Sequence, residues 1–123
     1  MVADSSYIME ALLKNKNLFE EESSIISPDL ALYEVANGIW KREILVKDVR
    51  QGSRYISLLS ELVESGSIVL IHPDSQIMKR SYGIAAKERV SFYDAVFLAL
   101  ALEIGVELRS LDKRMIDVFK KNR

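Results

Sequence analysis

The sequence predicts an α/β fold in which a central parallel sheet of four strands is covered by helices on both faces, and three observations predict it. Four short, largely apolar runs (residues 1–3, 24–27, 68–71 and 107–111) alternate with longer stretches of helical period. Strands that are apolar throughout and separated by helices belong to parallel sheets buried on both sides. Pro28 and Pro73 follow strands while Gly66 and Gly105 follow helices, which suits helix entries and exits. The stretch SFYDAVFLALALEIG, residues 91–105, is apolar on nearly every side, as only a helix enclosed by other elements can be.

Taken in order, the first strand leads to a helix over 6–13 and the second to a helix over 29–41. A helix over 47–64 fills the chain before the third strand, which leads to a helix over 75–87. The enclosed helix over 92–104 comes next, and a final helix over 113–120 follows the fourth strand. A chain of 123 residues with 49% hydrophobic content is long enough for one core and too short to expect two, so residues 1–123 read as a single domain.

The formal net charge of −1 provides no general basic field, which excludes a structural coat for nucleic acid and leaves only local Lys/Arg clusters to meet phosphates. The chain has no cysteine, so disulfides and thiolate metal sites are excluded and a reducing cytoplasm is the expected setting. The longest apolar run, residues 95–102, falls far short of the ~20 residues a membrane span needs. The N-terminus lacks the basic-then-apolar pattern of a signal peptide. A soluble cytoplasmic protein without a membrane partner is expected.

In an open parallel sheet, ligands bind beyond the carboxyl ends of the strands. Asp4 directly follows the first strand and Asp112 the last; Asp94 lies in the first turn of the enclosed helix, and Glu34 sits mid-helix between apolar neighbours. Each has an ordinary alternative. Asp4 and Asp112 fit N-caps, worth about 1 kcal/mol each. Ser91 and Asp94 fit a capping box, and Glu34 fits a solvent-facing stripe with Asn37 and Lys41. Neither capping nor solvation explains why the acids recur in this arrangement. Clustered carboxylates raise one another's pKa unless a cation neutralises them, and an oxygen-only donor set suits Mg²⁺ or Mn²⁺. His72, the only histidine, reads as a strand-end surface residue with no catalytic part.

The segments Val2-Ala3-Asp4-Ser5-Ser6, Pro28-Asp29-Leu30 with Glu34-Val35-Ala36-Asn37, Tyr93-Asp94-Ala95 with Leu98-Ala99-Leu100-Ala101, and Ser110-Leu111-Asp112-Lys113-Arg114 resemble the successive motifs of PIN-domain ribonucleases. The nearest likeness is to the VapC toxins of VapBC toxin–antitoxin pairs, and it runs over essentially the whole chain. The resemblance implies a PIN-like α/β/α sandwich that binds one or two Mg²⁺ or Mn²⁺ ions and cleaves RNA internally. It implies that Asp4, Glu34 and Asp94 are the three core catalytic and metal-binding acids, with Asp112 the fourth. It also implies that Ser6, Asn37 and Ser110 are accompanying polar groups that support the acids or position substrate.

The chemistry suits those residues, since metal ions held by carboxylates can activate water and neutralise charge on a phosphodiester without a histidine base. Lys41 and Arg42 beyond Glu34, and Lys113 and Arg114 after Asp112, are candidates for the phosphate-binding rim. Their ordinary reading is as solvated helix ends. Two departures from the family stand out. Only three residues precede Asp4, which makes the first strand short, and nothing apolar follows the last helix, which removes the usual final edge strand.

The leading expectation is a metal-dependent endoribonuclease, the toxin of a two-component pair, forming a homodimer and held inactive by a small VapB-like antitoxin. Apolar positions over 44–46 and 55–62 would serve self-association, a partner helix or the core. The alternatives are a PIN nuclease of RNA maturation without an antitoxin and a non-catalytic α/β binding module.

Overall fold

Strands rich in apolar residues bury them between layers of helices: Val2, Ala3, Ile25, Ile68 and Leu108 all lie in the core. The computed structural model describes residues 1–14 and 24–123. The elements run β1 (Val2–Ala3), α1 (Ser5–Lys14), β2 (Ile25–Pro28), α2 (Leu30–Trp40), a π-helical segment (Lys41–Val46), α3 (Gly52–Glu64), β3 (Ile68–Ile71), α4 (Ser75–Glu88), α5 (Phe92–Ile104), β4 (Leu108–Arg109) and α6 (Lys113–Asn122). The strands form one parallel sheet in the order β3-β2-β1-β4, as the alternation of apolar and helical runs predicts.

Helices α1, α2 and α3 pack together on one face, and α5, flanked by α4 and α6, lies along β1, β2 and β4 on the other. The result is an α/β/α sandwich. Residues Ala95 to Ala101 of α5 are all buried, and the alternation of Ala with larger side chains lets this helix lie close against the sheet. Its ends follow from local chemistry: the Ser91 hydroxyl accepts the Asp94 N–H at 3.0 Å, and Gly105 closes the helix in the left-handed region at φ 71°.

Three differences from the sequence expectations have clear causes. The helix expected over 47–64 begins only at Gly52, because Lys47 and Gln51 adopt left-handed conformations (φ 64° and 55°) and break the chain between the π-helical segment and α3. The Gly52 N–H instead meets Glu43 Oε2 at 3.1 Å, and a Cβ at Gly52 would stand 2.6 Å from Glu43 Oε1, so a larger residue there would oblige the Glu43 side chain to shift. The fourth strand is only Leu108–Arg109, shorter than expected. The apolar run over 55–62 divides: Leu59 joins the core, Tyr55, Leu58 and Leu62 pack against it, and Ile56 is exposed, as are Ile44, Leu45 and Val46.

Topology sets where a site can form. From β1 the chain moves outward to β2 and β3, then returns to place β4 on the other side of β1. The crevice beyond the carboxyl ends of β1 and β4 is therefore the switch point at which open α/β sheets bind ligands.

A candidate active site at the carboxyl edge of the sheet

The chain leaves β1 at Asp4, whose N–H is still bonded to the Arg109 carbonyl of β4 at 3.0 Å. Behind it, the wholly buried Ser27 of β2 donates its hydroxyl to the Ala3 carbonyl at 2.7 Å, fixing the end of β1 from the opposite side. Asp4 is itself buried, and its carboxylate is satisfied locally: Oδ1 accepts the Ser6 hydroxyl at 2.7 Å and the Tyr7 N–H at 3.0 Å. It thus caps α1 while facing the crevice.

Glu34 reaches the same place from α2. The Ser5 hydroxyl donates to its Oε1 at 2.7 Å, which holds the carboxylate beside the start of α1. This contact depends on the packing of α1 against α2, where a Cβ at Gly38 would meet Met9 Sδ at 2.7 Å and oblige that side chain to shift. Asp94 enters from the first turn of α5, and Asp112 from the start of α6, where its Oδ1 accepts the Arg114 N–H at 2.9 Å. A cleft of about 170 Å³ is lined by Asp4, Ser5, Ser6, Glu34, Asp94, Asp112 and the apolar floor residues Phe97 and Met115. The four acids that the sequence singles out come together there from four different segments.

Their electrostatics follow from this crowding. Burial pushes the Glu34 carboxyl above its ordinary range against the opposing Ser5 hydrogen bond, and the charges of Asp94 and Asp4 push it further. Asp94 is likewise raised, first by burial, against its Ser91 hydrogen bond, with Asp112 and Asp4 adding to the rise and Arg114 countering it. Glu34 and Asp94 thus sense neighbouring carboxylates as unneutralised charge. In the rotamers they adopt, no group of three or more acidic or histidine side chains among the described residues is arranged as a ready ion cage. The donor chemistry nevertheless fits a hard divalent cation, because every polar side chain lining the cleft is a carboxylate or a hydroxyl, and a cation would relieve the repulsion that raises Glu34 and Asp94.

The remaining predicted site residues divide. Ser6 lies in the cleft and also accepts the Leu111 N–H at 3.2 Å, tying the start of α1 to the loop that carries Asp112. Ser110 accepts the Asp112 N–H at 3.0 Å. Asn37 is exposed and lines a neighbouring hollow rather than the acidic cleft. Lys41, Arg42, Lys113 and Arg114 do not line the cleft. Arg42 is spent in a two-pronged ion pair with Asp48, at 2.8 and 3.2 Å. Arg114 donates to the Glu88 and Arg89 carbonyls, where it closes the end of α4. Ser5 was not among the expected site residues; its place directly after a strand-end Asp is the signal that points to it. His72 is an exposed strand-end residue, 2.8 Å from Asp29.

Four acids at the switch point of a parallel α/β/α sandwich correspond to a known class: the PIN domain family matches residues 1–121, and the chain belongs to that family. Within it, the chain is similar to Ribonuclease VapC3 of Pyrobaculum aerophilum, with 36% identity over 94 residues covering 74% of this chain and 68% of that protein. Its fold is similar to that in the crystal structure of PAE2754 from Pyrobaculum aerophilum, with a TM-score of 0.78 and 17% identity over 95% of this chain and 84% of the other.

Proposed function

We propose that the protein is an endoribonuclease dependent on Mg²⁺ or Mn²⁺ and is the toxin of a VapBC-type pair acting in the cytoplasm. The observation that carries this reading is the meeting of Asp4, Glu34, Asp94 and Asp112 in one cleft at the sheet's switch point. Membership of the PIN-domain family and similarity to Ribonuclease VapC3 support it.

These four carboxylates would hold the cation, which when bound supplies charge neutralisation at the phosphate and a more acidic water. The protein's own part is positional. Ser5 orients Glu34, Ser6 orients Asp4 and links it to the Asp112 loop, and Phe97 and Met115 make the floor apolar, which strengthens each charge interaction above it. Ser110 helps hold Asp112, and Asn37, which lines a hollow with Glu34, is in this reading a contact for the RNA strand. Of the four cations expected at the rim, Lys41 and Lys113 are exposed and, among the described residues, outside side-chain ion pairs and carbonyl contacts; in this reading they draw RNA by diffuse attraction.

The antitoxin is a small VapB-like protein, and the apolar surface of Trp40, Ile44, Leu45, Val46 and Ile56 suits the apolar face of a partner helix. The toxin itself acts as a homodimer. Among the described residues, no helix is long and apolar enough to cross a membrane.

The test is cleavage of a labelled, mixed RNA pool with Mg²⁺, Mn²⁺ or EDTA by wild type and by Asp94→Asn. Cleavage that requires metal and is lost in the variant is expected. A folded, partner-free wild type that is inert with either metal would overturn the reading.

A further inference from the structure

A hollow of about 420 Å³ adjoins the acidic cleft and shares Glu34 with it; Leu30, Tyr33, Asn37 and Tyr93 complete its walls. That volume falls within the ~300–1,000 Å³ of ordinary ligand pockets. Leu30, Tyr33, Glu34 and Asn37 are at positions i, i+3, i+4 and i+7 of α2, so they form one helical stripe, and Tyr93 faces them from the start of α5. The two tyrosines are 73% and 63% exposed, although neighbouring apolar residues of the same helices are buried in the core. Exposed aromatic rings flanking a mostly apolar hollow are costly to leave in water unless something covers them.

We propose that Tyr33 and Tyr93 form a stacking subsite for one unpaired nucleobase of the RNA, next to the phosphate held at the acidic cleft. Three features favour a base as the occupant. Every base has a π face that stacks on aromatic side chains, and unpaired RNA is recognised largely in this way. The Asn37 side chain at the end of the stripe brings an amide that can both donate to and accept from a base edge. Glu34 is common to both hollows, so a strand with a phosphate at the acids carries an adjoining nucleotide across the tyrosines. This inference rests on the ribonuclease reading, with Tyr33 and Tyr93 as positioning residues.

The experiment compares wild type with Tyr33→Leu/Tyr93→Leu and Tyr33→Phe/Tyr93→Phe, on short unpaired RNAs that are intact or carry an abasic nucleotide beside the cleaved phosphodiester. Binding is read by fluorescence anisotropy and cleavage by KM and kcat. Stacking predicts that the leucine pair raises Kd and KM roughly 5- to 100-fold with kcat little changed. The phenylalanine pair should restore most of the affinity, and the abasic RNA should bind wild type as weakly as intact RNA binds the leucine pair. Equal binding of intact RNA by wild type and the leucine pair overturns the proposal, whatever the cleavage. So does a leucine pair that cuts RNA normally but no longer retains a protein partner, since the hollow would then be a protein site. Base-dependent binding without cleavage keeps the subsite and removes the nuclease reading; absence of any RNA binding by wild type removes both.

Discussion

The Ser5 hydroxyl donates to Glu34 Oε1 across 2.7 Å, joining two residues 29 positions apart and turning a mid-helix carboxylate toward Asp4 and Asp94. The bond both aims Glu34 and offsets part of the burial that raises its pKa. It explains how an acid among apolar neighbours on α2 is kept at the site.

Ser5→Ala should therefore impair cleavage without unfolding the protein. We expect a fall in kcat/KM of about 10-fold, the cost of roughly 1.4 kcal/mol of lost hydrogen bonding. The pH–rate profile should also move to higher pH, because the Glu34 carboxylate loses a group that stabilises its charged form. A fall in rate with no shift of the profile would separate Ser5 from Glu34.

Protonation should also govern the stability of the protein stripped of divalent ions. Glu34 and Asp94 both have folded-state pKa values raised above their ordinary ones, so their contribution favours folding below the ordinary carboxylate range and is lost as pH rises through the raised values. In EDTA, wild type should thus lose stability relative to Glu34→Gln and Asp94→Asn as pH rises from acid toward neutral. The check is Tm against pH for the three proteins. Parallel curves would mean that the acids are not mutually strained.

Added Mg²⁺ or Mn²⁺ should reverse that loss for wild type, since a ligand that binds only the folded state stabilises by RT ln(1 + [L]/Kd), about 2.7 kcal/mol at a hundredfold excess over Kd. Asp94→Asn should be the more stable protein without metal at neutral pH and gain the less with it. Differential scanning calorimetry with and without the ion reads both effects. Equal gains for the two proteins would count against Asp94 as a ligand.

Ser27→Ala should cost about 1–3 kcal/mol of stability, because it leaves the buried Ala3 carbonyl without its 2.7 Å partner. Loss of this bond loosens the end of β1 immediately before Asp4, so cleavage should fall along with the denaturation midpoint. Urea unfolding measures the first and a single-turnover assay the second.

In the π-helical segment after α2, Leu45→Glu should leave RNA cleavage unchanged and weaken capture of the proposed VapB-like antitoxin, as Leu45 is exposed and does not line the acidic cleft. Normal capture by the variant would place the partner elsewhere.

Much of this architecture could be read from local pattern. The apolar runs of Ile25–Pro28 and Ile68–Ile71 read as strands, the Ser91 hydroxyl and Gly105 mark the two ends of α5, and Asp4 and Asp112 stand where strand gives way to helix. Capping and site-building proved compatible, since Asp4 and Asp112 accept backbone N–H groups and still line the cleft. The loop over 47–51 was not legible, because nothing in Lys47 or Gln51 announces a left-handed backbone. The fates of the cations were equally hidden: Arg42 pairs with Asp48 and Arg114 with two α4 carbonyls, contacts that depend on where distant or flanking backbone comes to rest.

Hydrophobic periodicity and capping chemistry act over a few residues, so the linear order of residues already determined the strands, the helices and the sequence of four acids along the chain. Packing decided the rest. The return of β4 beside β1 brought Asp112 to Asp4, the packing of α1 against α2 let Ser5 hold Glu34, and the burial of α5 delivered Asp94. Carboxylates repel at short range, and only an assembled core with strand register fixed by hydrogen bonds can hold them together against that repulsion.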